Sequence, residues 1–357
     1  MTAAPPISIG LPIRNGERYL AQTLADLQAQ TLPDFEVVVC DNASTDATEE
    51  IVRAAAATDP RIRYVRHDRD LGALPNTNRA FERSRGDLFV LAAHDDRRSP
   101  DFLAVLQASL QAHPDAVVAY GDQTLIGADG RPFAFDRRRR LYVGPEGVEY
   151  LYDAALQRAL PSDPVARYEA VLHTNDTGAP IHGMFRREIL ERVGPHHIYG
   201  SDRLILAHAA LLGTFAYVPA PVFAYRIHGE STLHLTRRQR LARETGGATR
   251  GGPLDAVRTL QAFLAAVADA GLPPAQRARA VAATLRYAVH ADRLRRLVTP
   301  GPDNLFGWTG RSTSETEGVE PWKWAGYGDY ALSRWHWLFD GHAKTVETEG
   351  SLESRPA

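Results

Sequence analysis

The chain has 357 residues and a formal net charge of -2, with 41 basic and 43 acidic side chains. This balance excludes binding driven by a strong overall field, such as nonspecific binding to nucleic acid. The single cysteine, Cys40, excludes an internal disulfide and a thiolate zinc cluster and favours a reducing compartment, so we expect a cytoplasmic protein. No apolar stretch reaches membrane-spanning length, and the first six residues do not resemble a secretory signal.

Short apolar runs alternate with helical patterns in the first third of the chain. The runs have strand length and lie at residues 7–13, 35–40, 88–93 and 116–120. Apolar residues recur at helical spacing in residues 17–30, 48–57 and 102–110. Strands alternating with helices predict an α/β fold, in which helices cover both faces of a parallel sheet.

The pattern changes after Gly121. In chain order it predicts a turn at 128–130, a loop at 137–140, helices at 147–160, 187–193 and 202–212, and a strand at 215–218. We expect the sheet to end at about Tyr225. Residues 254–298 are rich in Ala, Leu and Arg at helical spacing and predict a helical extension, and all five tryptophans follow it.

Polar residues follow three of the apolar runs directly. They are Leu11-Pro12-Ile13-Arg14-Asn15-Gly16, Asp41-Asn42-Ala43-Ser44-Thr45-Asp46 and His94-Asp95-Asp96. Ligands of parallel α/β sheets bind outside the carboxyl ends of the strands, so we expect these segments to share one edge of the sheet.

Asp95 and Asp96 are adjacent carboxylates at the end of a buried strand. Their charges raise the free energy of the folded chain unless a cation or hydrogen-bond donors offset them. Mg²⁺ or Mn²⁺ binds through one or two carboxylates and completes its shell with phosphate oxygens and water. The alternative is a capped turn, in which either carboxylate accepts from backbone amides.

The second polar segment combines a strand-end carboxylate with candidate helix caps. We expect Ser44 or Thr45 to cap the helix that follows. A cap does not explain Asp41, whose carboxylate can accept a hydrogen bond from the imide N–H of uracil or thymine. The segment therefore predicts a preference for a pyrimidine nucleotide.

The remaining motifs are Gly72 with Asn78, Gly86-Asp87, Asp202, Gly213, Pro219, and Tyr225-Arg226-Ile227-His228 followed by Ser231. Taken with the three segments above, in this order and spacing, they resemble the inverting glycosyltransferases of family 2, which have the GT-A fold. The resemblance covers roughly residues 7–231. It implies a Rossmann-like, mostly parallel sheet flanked by helices.

We predict three parts of the chain. Residues 1–230 would form the GT-A domain that binds the nucleotide-sugar and carries catalysis. Residues 231–343 would form a mainly helical extension, Trp-rich at its end, and residues 344–357 a disordered tail.

The resemblance also implies a role for each matched residue. The residues implied to bind the nucleotide are Pro12, Arg14, Asn15, Asp41, Asn78 and Asp95. Those implied to hold Mg²⁺ or Mn²⁺ are Asp96, Asp95 and His228, with Asp96 the direct ligand. Asp202 would be the catalytic base, and Asp176 is the next candidate.

The implied reaction moves a sugar from a UDP- or dTDP-sugar to a hydroxyl group. The acceptor would be a carbohydrate, a lipid-linked compound or a small molecule, in cell-surface polysaccharide, glycolipid or secondary-metabolite glycosylation. The further partners to consider are the inner face of a membrane, through peripheral contact, and a second copy of the chain, in a homodimer.

The sequence departs from the family's pattern at two positions. Many members carry another Asp two places before Asp95, where this chain has Ala93. Arg14 stands where an aromatic residue often stacks on the base, although a guanidinium can stack as well.

Three other functions are weighed against this one. A protein that binds nucleotide-sugar or carbohydrate with little turnover is the first alternative, because of Ala93. A nucleotidyltransferase would need a Gly-rich phosphate loop with a lysine, and residues 11–18 have neither. A dinucleotide oxidoreductase would need G-x-G-x-x-G after the first strand, which is missing.

Other polar and aromatic features have structural interpretations. We interpret His196 and His197 as a surface turn, and residues 137–140 as a solvated loop that a membrane or phosphorylated acceptor would otherwise contact. The tryptophans are expected to pack the C-terminal segment against the helices or a second subunit.

Overall fold

The computed structural model describes residues 5–136, 141–144, 149–151, 160–173, 178–194, 201–229, 243 and 253–289. The strands of this part of the chain are β1 (Ile7–Ile13), β2 (Phe35–Asp41), β3 (Ile62–Arg66), β4 (Leu88–Leu91), β5 (Arg97–Arg98), β6 (Ala116–Ile126), β7 (Ala134–Asp136), β8 (Leu141–Val143), β9 (Glu149–Leu151), β10 (Met184–Arg186) and β11 (Thr214–Arg226). Its helices are α1 (Glu17–Gln28), α2 (Thr48–Thr58), α3 (Ala73–Arg83), α4 (Phe102–Ala112), α5 (Pro164–His173), α6 (Gly178–Ile181), α7 (Arg187–Val193), α8 (Ser201–Leu212), α9 (Pro253–Asp269) and α10 (Pro274–Ala288).

Eight strands form one mixed sheet in the order β3-β2-β1-β4-β10-β6-β11-β5. Pairing is parallel among β1 to β4 and between β6 and β11, whereas β10 and β5 run antiparallel to their neighbours. The central strands are almost entirely buried, as the continuous apolar runs predict for a sheet covered on both faces. The predicted α/β fold is confirmed.

Two large apolar clusters hold the helices on the sheet. One contains the β1 and β2 side chains with Leu20, Leu24 and Leu27 of α1, which the helical spacing predicts to be buried. The other joins α5 and α8 to the extension, through residues that include Phe263 of α9 and Tyr287 of α10. The two extension helices therefore share a core with α8.

Strand β6 is longer than predicted. The sequence suggests an end at Tyr120, because Gly121 and Asp122 are typical of turns, but β6 continues in parallel pairing with β11 to Ile126. A Cβ atom at Gly121 would lie 2.4 Å from Val222 Cγ2, so this glycine permits close packing between strands rather than a turn.

The predicted helix at 147–160 is wrong where the structure describes it. Glu149–Leu151 is strand β9, which pairs with β8 in a small antiparallel sheet of order β7-β8-β9. In this register the backbone of Tyr150 lies opposite that of Tyr142, so pairing with β8 takes the place of hydrogen bonds within a helix.

The large sheet and the helices of the described residues belong to one compact unit, and the small β7-β8-β9 sheet belongs to another. Among these helices, none combines the length and apolar character needed to cross a bilayer. The predicted boundary at residue 230 stays a prediction.

Candidate functional site

Three polar segments meet at one edge of the large sheet, as predicted. Ile13 at the end of β1 pairs with Asp41 at the end of β2, and the last residue of β4, Leu91, pairs with Gly10 of β1. The parallel register thus brings the segments that follow these strands to the same edge.

The first two segments are joined by hydrogen bonds. The Asn15 backbone amide donates to Ser44 Oγ at 2.9 Å, and Asn15 Oδ1 accepts from the Thr45 amide at 2.9 Å. Asn15 and Ala43 both have positive φ angles, 52° and 56°. Asn adopts this left-handed conformation readily, whereas Ala does so at a cost.

This arrangement corrects the predicted cap. The N-cap of α2 is Ala47, and its side chain makes no capping hydrogen bond. Ser44 and Thr45 instead form hydrogen bonds with Asn15. The Thr48 amide, at the start of the helix, donates to Asp46 Oδ1 at 3.1 Å. The prediction that Ser44 or Thr45 caps this helix is wrong, because a loop 29 residues earlier uses their polar atoms.

Asp41 is fully buried, and both of its carboxylate oxygens have donors within the chain. Oδ1 accepts from the Ser44 amide at 2.9 Å. Oδ2 accepts from Tyr64 Oη at 2.5 Å and from Arg66 Nη1 at 2.8 Å. The Asp41 carboxylate is therefore fixed in place at the sheet edge by three donors.

Arg14 is paired across the edge with Asp70, whose Oδ2 lies 2.5 Å from Arg14 Nη1. The other oxygen of Asp70 accepts from Asn42 Nδ2 at 2.6 Å and from the Gly72 amide at 2.8 Å. The Arg14 side chain is 48% exposed, so its guanidinium plane is accessible to a flat ligand. Pro12, two residues earlier, is half-buried within β1.

Two asparagines of α3 occupy different environments. Asn76 is buried, and its Nδ2 donates to the Cys40 carbonyl at 2.9 Å, which ties α3 to the end of β2. Asn78 is half-buried and lines a largely apolar crevice with Leu91 and Ile205. Sequence reasoning singled out Asn78 and missed Asn76, although both are polar residues at the start of the same helix.

Asp95 and His228 come together from segments far apart in the chain. His228 Nε2 lies 2.9 Å from Asp95 Oδ2, and both residues follow strands of the large sheet. Burial by itself would raise the pKa of Asp95, but the hydrogen bond from His228 and the charges of His94 and His228 lower it to about 2. The structure thus places two of the predicted metal-site residues in contact.

Asp96 is 1% exposed and is held by Arg226. Its Oδ1 accepts from the Arg226 backbone amide at 2.9 Å, whereas its Oδ2 is buried with no hydrogen-bond partner among the described residues. Burial, together with the charge of Asp95, raises the pKa of Asp96 to about 8. A cation at this oxygen would offset the like charge and favour the ionised form.

The carboxylate pair fits a hard divalent ion. An unpartnered buried carboxylate oxygen is costly, and coordination to a cation is one of the few ways to satisfy it. No group of three or more His, Cys, Asp or Glu side chains with metal-binding geometry occurs in the described part of the chain. This donor set suits Mg²⁺ or Mn²⁺, which bind through one or two carboxylates with phosphate and water.

Asp202 is exposed in the first turn of α8. Burial lowers the pKa of His182 and the Arg98 charge lowers it further, whereas the negative charges of Asp202 and Asp95 act in the opposite direction. Two predicted site residues, over 100 positions apart in the chain, therefore act on one imidazole. The His182 ring is fixed by its Nδ1, which donates to the Leu91 carbonyl at 2.9 Å.

The sequence did not identify two residues that support the site around Asp95, namely Arg226 and Tyr19. Arg226 donates through Nε to the Asp95 carbonyl at 2.7 Å, and its guanidinium carbon lies 4.6 Å from the centre of the Tyr19 ring. The Tyr19 ring also packs at 4.9 Å from the His228 ring. Arg226 belongs to the Tyr225-Arg226-Ile227-His228 motif. Tyr19 shows only the helical spacing of apolar residues, which does not distinguish it from a core residue.

Arg98 is a second buried cation beside the pair. It is 5% exposed, lies between the rings of Phe102 and Phe223, and its charge lowers the pKa of Asp96. Its guanidinium nitrogens have no hydrogen-bond partner within the described residues. The sequence does not show that Arg98 is buried and the neighbouring Arg97 ion-paired. Arg97 pairs with Asp26 at 2.5 Å.

Several expectations lie outside the described residues. They concern residues 137–140, Asp176, His196, His197, Ser231, the five tryptophans and the tail after residue 343.

A sequence model of the family described as glycosyl transferase family 2 matches residues 8–194 of the chain. The chain is 26% identical over 156 residues to the putative teichuronic acid biosynthesis glycosyltransferase TuaG of Bacillus subtilis, covering 44% of this chain and 59% of that protein. It is 32% identical over 142 residues to a PGL/p-HBAD biosynthesis glycosyltransferase of Mycobacterium bovis, covering 39% and 56%.

A third relative, the uncharacterized protein y4gI of Sinorhizobium fredii, is 29% identical over 220 residues, covering 59% of this chain and 23% of that protein. The chain thus spans between about a quarter and three-fifths of the length of these relatives. Among solved structures, S. aureus TarS 1-349 in complex with UDP-GlcNAc superposes with a TM-score of 0.55 at 17% identity, covering 81% of this chain and 74% of that one. The complex of the same protein with UDP gives 0.54 at 17% identity, covering 80% and 72%. These superpositions confirm the predicted GT-A fold.

Proposed function

The chain belongs to glycosyl transferase family 2, and from this we propose that it transfers a sugar from a nucleotide-diphosphate sugar to a hydroxyl group, with inversion at the anomeric carbon. The observation that carries the proposal is the Asp95 and Asp96 pair at the end of β4, with a buried carboxylate oxygen of Asp96 unpartnered among the described residues. The pair lies at the same sheet edge as the Arg14 and Asp41 segments.

The donor carries uridine or thymidine. The support is the half-exposed Arg14 guanidinium, which can stack on a base at the sheet edge where β2 ends with Asp41. TarS, which shares the fold, is described in complex with UDP and with UDP-GlcNAc. We also assign Pro12, Asn15, Asn78 and Asp95 to the nucleotide site.

Mg²⁺ or Mn²⁺ would be held by Asp96 and Asp95, with His228 beside them. The bound ion would act as a Lewis acid that stabilises charge on the departing diphosphate. The chain's own part is to fix both carboxylates. Arg226 holds Asp96 by its amide, and His228 orients Asp95 by a hydrogen bond.

Asp202 is the general base. Its carboxylate takes the proton of the acceptor hydroxyl while the bond from that oxygen to the anomeric carbon forms. The bond from the anomeric carbon to the diphosphate oxygen breaks on the opposite face, and the nucleoside diphosphate leaves. The exposed position of Asp202 in the first turn of α8 leaves it accessible to an acceptor.

The acceptor belongs to cell-surface polysaccharide or glycolipid synthesis, in the cytoplasm at the inner face of the membrane. The relatives named for teichuronic acid and PGL/p-HBAD biosynthesis support a polysaccharide or glycolipid acceptor. A protein that binds the nucleotide-sugar with little turnover is the second candidate, because Ala93 occupies a position that is often acidic in the family.

Calorimetric titration with UDP, dTDP and GDP, each with Mn²⁺ or with excess chelator, tests the donor and the metal. We expect UDP or dTDP to bind more tightly than GDP, and only weakly in chelator. Equal affinity with and without Mn²⁺ would contradict the metal site, and preference for GDP would contradict the pyrimidine pocket. Release of UDP from a UDP-sugar separates an enzyme from the binding protein.

A further inference from the structure

The first turn of α8 carries Asp202, the proposed base. The first backbone amides of any helix lack partners within the helix, so neighbouring side chains set the direction of its start. In α8 this turn holds Ser201, Asp202 and Arg203. Arg203 Nη1 donates to the hydroxyl oxygen of Tyr287 at 2.9 Å, across 84 residues of sequence.

Tyr287 is itself held firmly within α10. It is buried, and its ring packs edge-on against Phe263 and His173, with 5.7 Å between ring centres in each case. A ring enclosed in this way cannot change its side-chain conformation without displacing its neighbours. The hydroxyl group is therefore a fixed acceptor for Arg203.

Other contacts between α8 and the extension lie further along the helix. His208 Nε2 is 2.9 Å from Asp269 Oδ2 of α9, and Arg192 of α7 donates to the same oxygen at 2.9 Å. This cluster anchors the middle of α8. The Arg203 bond to Tyr287 acts about one and a half turns earlier, at the turn that carries Asp202.

We propose that Tyr287 is a positioning residue for Asp202, acting through Arg203; this inference rests on the proposed role of Asp202 as the base. Successive helical residues are about 100° apart, so the fixed direction of the Arg203 side chain also fixes the direction of Asp202. The extension is thus part of the catalytic apparatus.

The test compares two buried tyrosines whose hydroxyl groups bond different helices. Tyr287→Phe removes the hydroxyl that accepts from Arg203 and keeps the ring. Tyr168→Phe is the matched control, because it removes a buried hydroxyl that lies 2.7 Å from Thr284 Oγ1 of α10 but does not involve α8. The assay measures kcat and KM for the release of UDP from UDP-GlcNAc and UDP-glucose, and melting temperature compares the stability of the two variants.

We expect Tyr287→Phe to lower kcat roughly tenfold to a hundredfold, as for a misplaced catalytic group, with KM little changed. Tyr168→Phe should leave kcat unchanged although both variants melt earlier than the parent. Arg203→Met should match Tyr287→Phe, and the double variant should be no worse than either single one. Equal kcat for the two tyrosine variants, or additive losses in the double variant, would overturn the proposal.

Hydrogen exchange separates this inference from the proposed function. Amides of residues 201–205 should exchange faster in Tyr287→Phe than in the parent and in Tyr168→Phe. If the parent releases no UDP, the enzymatic proposal fails, and unchanged exchange in this turn would independently overturn the positioning role.

Discussion

Arg226 holds Asp96 through its backbone rather than its side chain: the Arg226 amide donates to Asp96 Oδ1 at 2.9 Å. The Arg226 guanidinium meanwhile bonds the Asp95 carbonyl and the carbonyls of Gly127 and Ala128. The end of β11 therefore fixes the carboxylate that we assign to the metal, and substitution of Asp96 can be designed to keep this bond.

Asp96→Asn should remove most of the metal-dependent affinity for UDP. The amide oxygen can still accept from Arg226, but the lost charge weakens the cation site by at least about tenfold. Calorimetry with UDP and Mn²⁺ measures the loss. Asp115→Asn is the control, because Asp115 bonds Thr214 at the opposite end of the strands. Parent-like Mn²⁺-dependent affinity in Asp96→Asn would exclude Asp96 as the ligand.

Asp202→Asn should abolish transfer while leaving donor binding nearly intact. Asn keeps the size and helix-start preference of Asp but cannot take a proton, so we expect kcat to fall on the order of a hundredfold or more. UDP release and UDP affinity are measured on the same preparation. Near-normal turnover would transfer the base role to Asp176.

Asp41→Asn should lower the stability of the fold, independently of any effect on nucleotide binding. Three donors converge on the Asp41 carboxylate, and an amide group would set its own N–H against one of them. We expect the free energy of unfolding in urea to fall by about 2 to 3 kcal/mol. Arg79→Gln, which breaks an exposed pair with Glu82, should cost less than about 0.5 kcal/mol. Equal losses would show that the Asp41 contacts contribute little.

Glu36→Gln should alter the dependence of stability on pH. Burial would raise the pKa of Glu36, but hydrogen bonds from Arg85, Ser8 and Arg63 lower it below its ordinary value of 4.5. A lowered pKa in the folded state means that the ionised group stabilises the protein above pH 4.5, and that this contribution is lost as the pH falls through the folded-state pKa. The difference in unfolding free energy between parent and variant should therefore have its maximum value at pH 7 and decrease below about pH 4. A constant difference would contradict this.

Gly86→Ala should destabilise the start of β4. A Cβ atom there would lie 2.7 Å from both the Ile7 carbonyl carbon and the Ser8 nitrogen, and backbone atoms cannot move aside cheaply. We expect a loss of about 1 to 3 kcal/mol in urea unfolding. At Gly229 no atom of the described residues lies within 4 Å of the added atom, so Gly229→Ala serves as the tolerated control.

The parallel half of the sheet could be predicted from the sequence because its strands are buried on both faces. Ile7–Ile13 matches its predicted bounds, and the register of Ile13 with Asp41 follows from parallel pairing. The edge position of Asp95 was predictable for the same reason. Local patterns were sufficient wherever one apolar run defines one strand.

The rest depended on contacts between distant residues. The three-residue strand β10 is too short to show a period, yet it joins β4 to β6. Polar side chains such as Ser44 have several acceptable partners, and only the fold selects Asn15 over the helix start. The buried Arg98 has the same sequence signal as the ion-paired Arg97.

The placement of β10 also sets the order in which the protein can assemble during synthesis. The pairings among β1 to β4 all lie within the first 91 residues and can form once these residues have emerged. The strand that links them to β6 arrives about 90 residues later, and the contact between Asp95 and His228 spans 133 residues. Because such long-range contacts form slowly, we expect nascent chains to expose the β4 edge until β10 pairs with it. This interval is when the chain is most exposed to aggregation and to capture by chaperones.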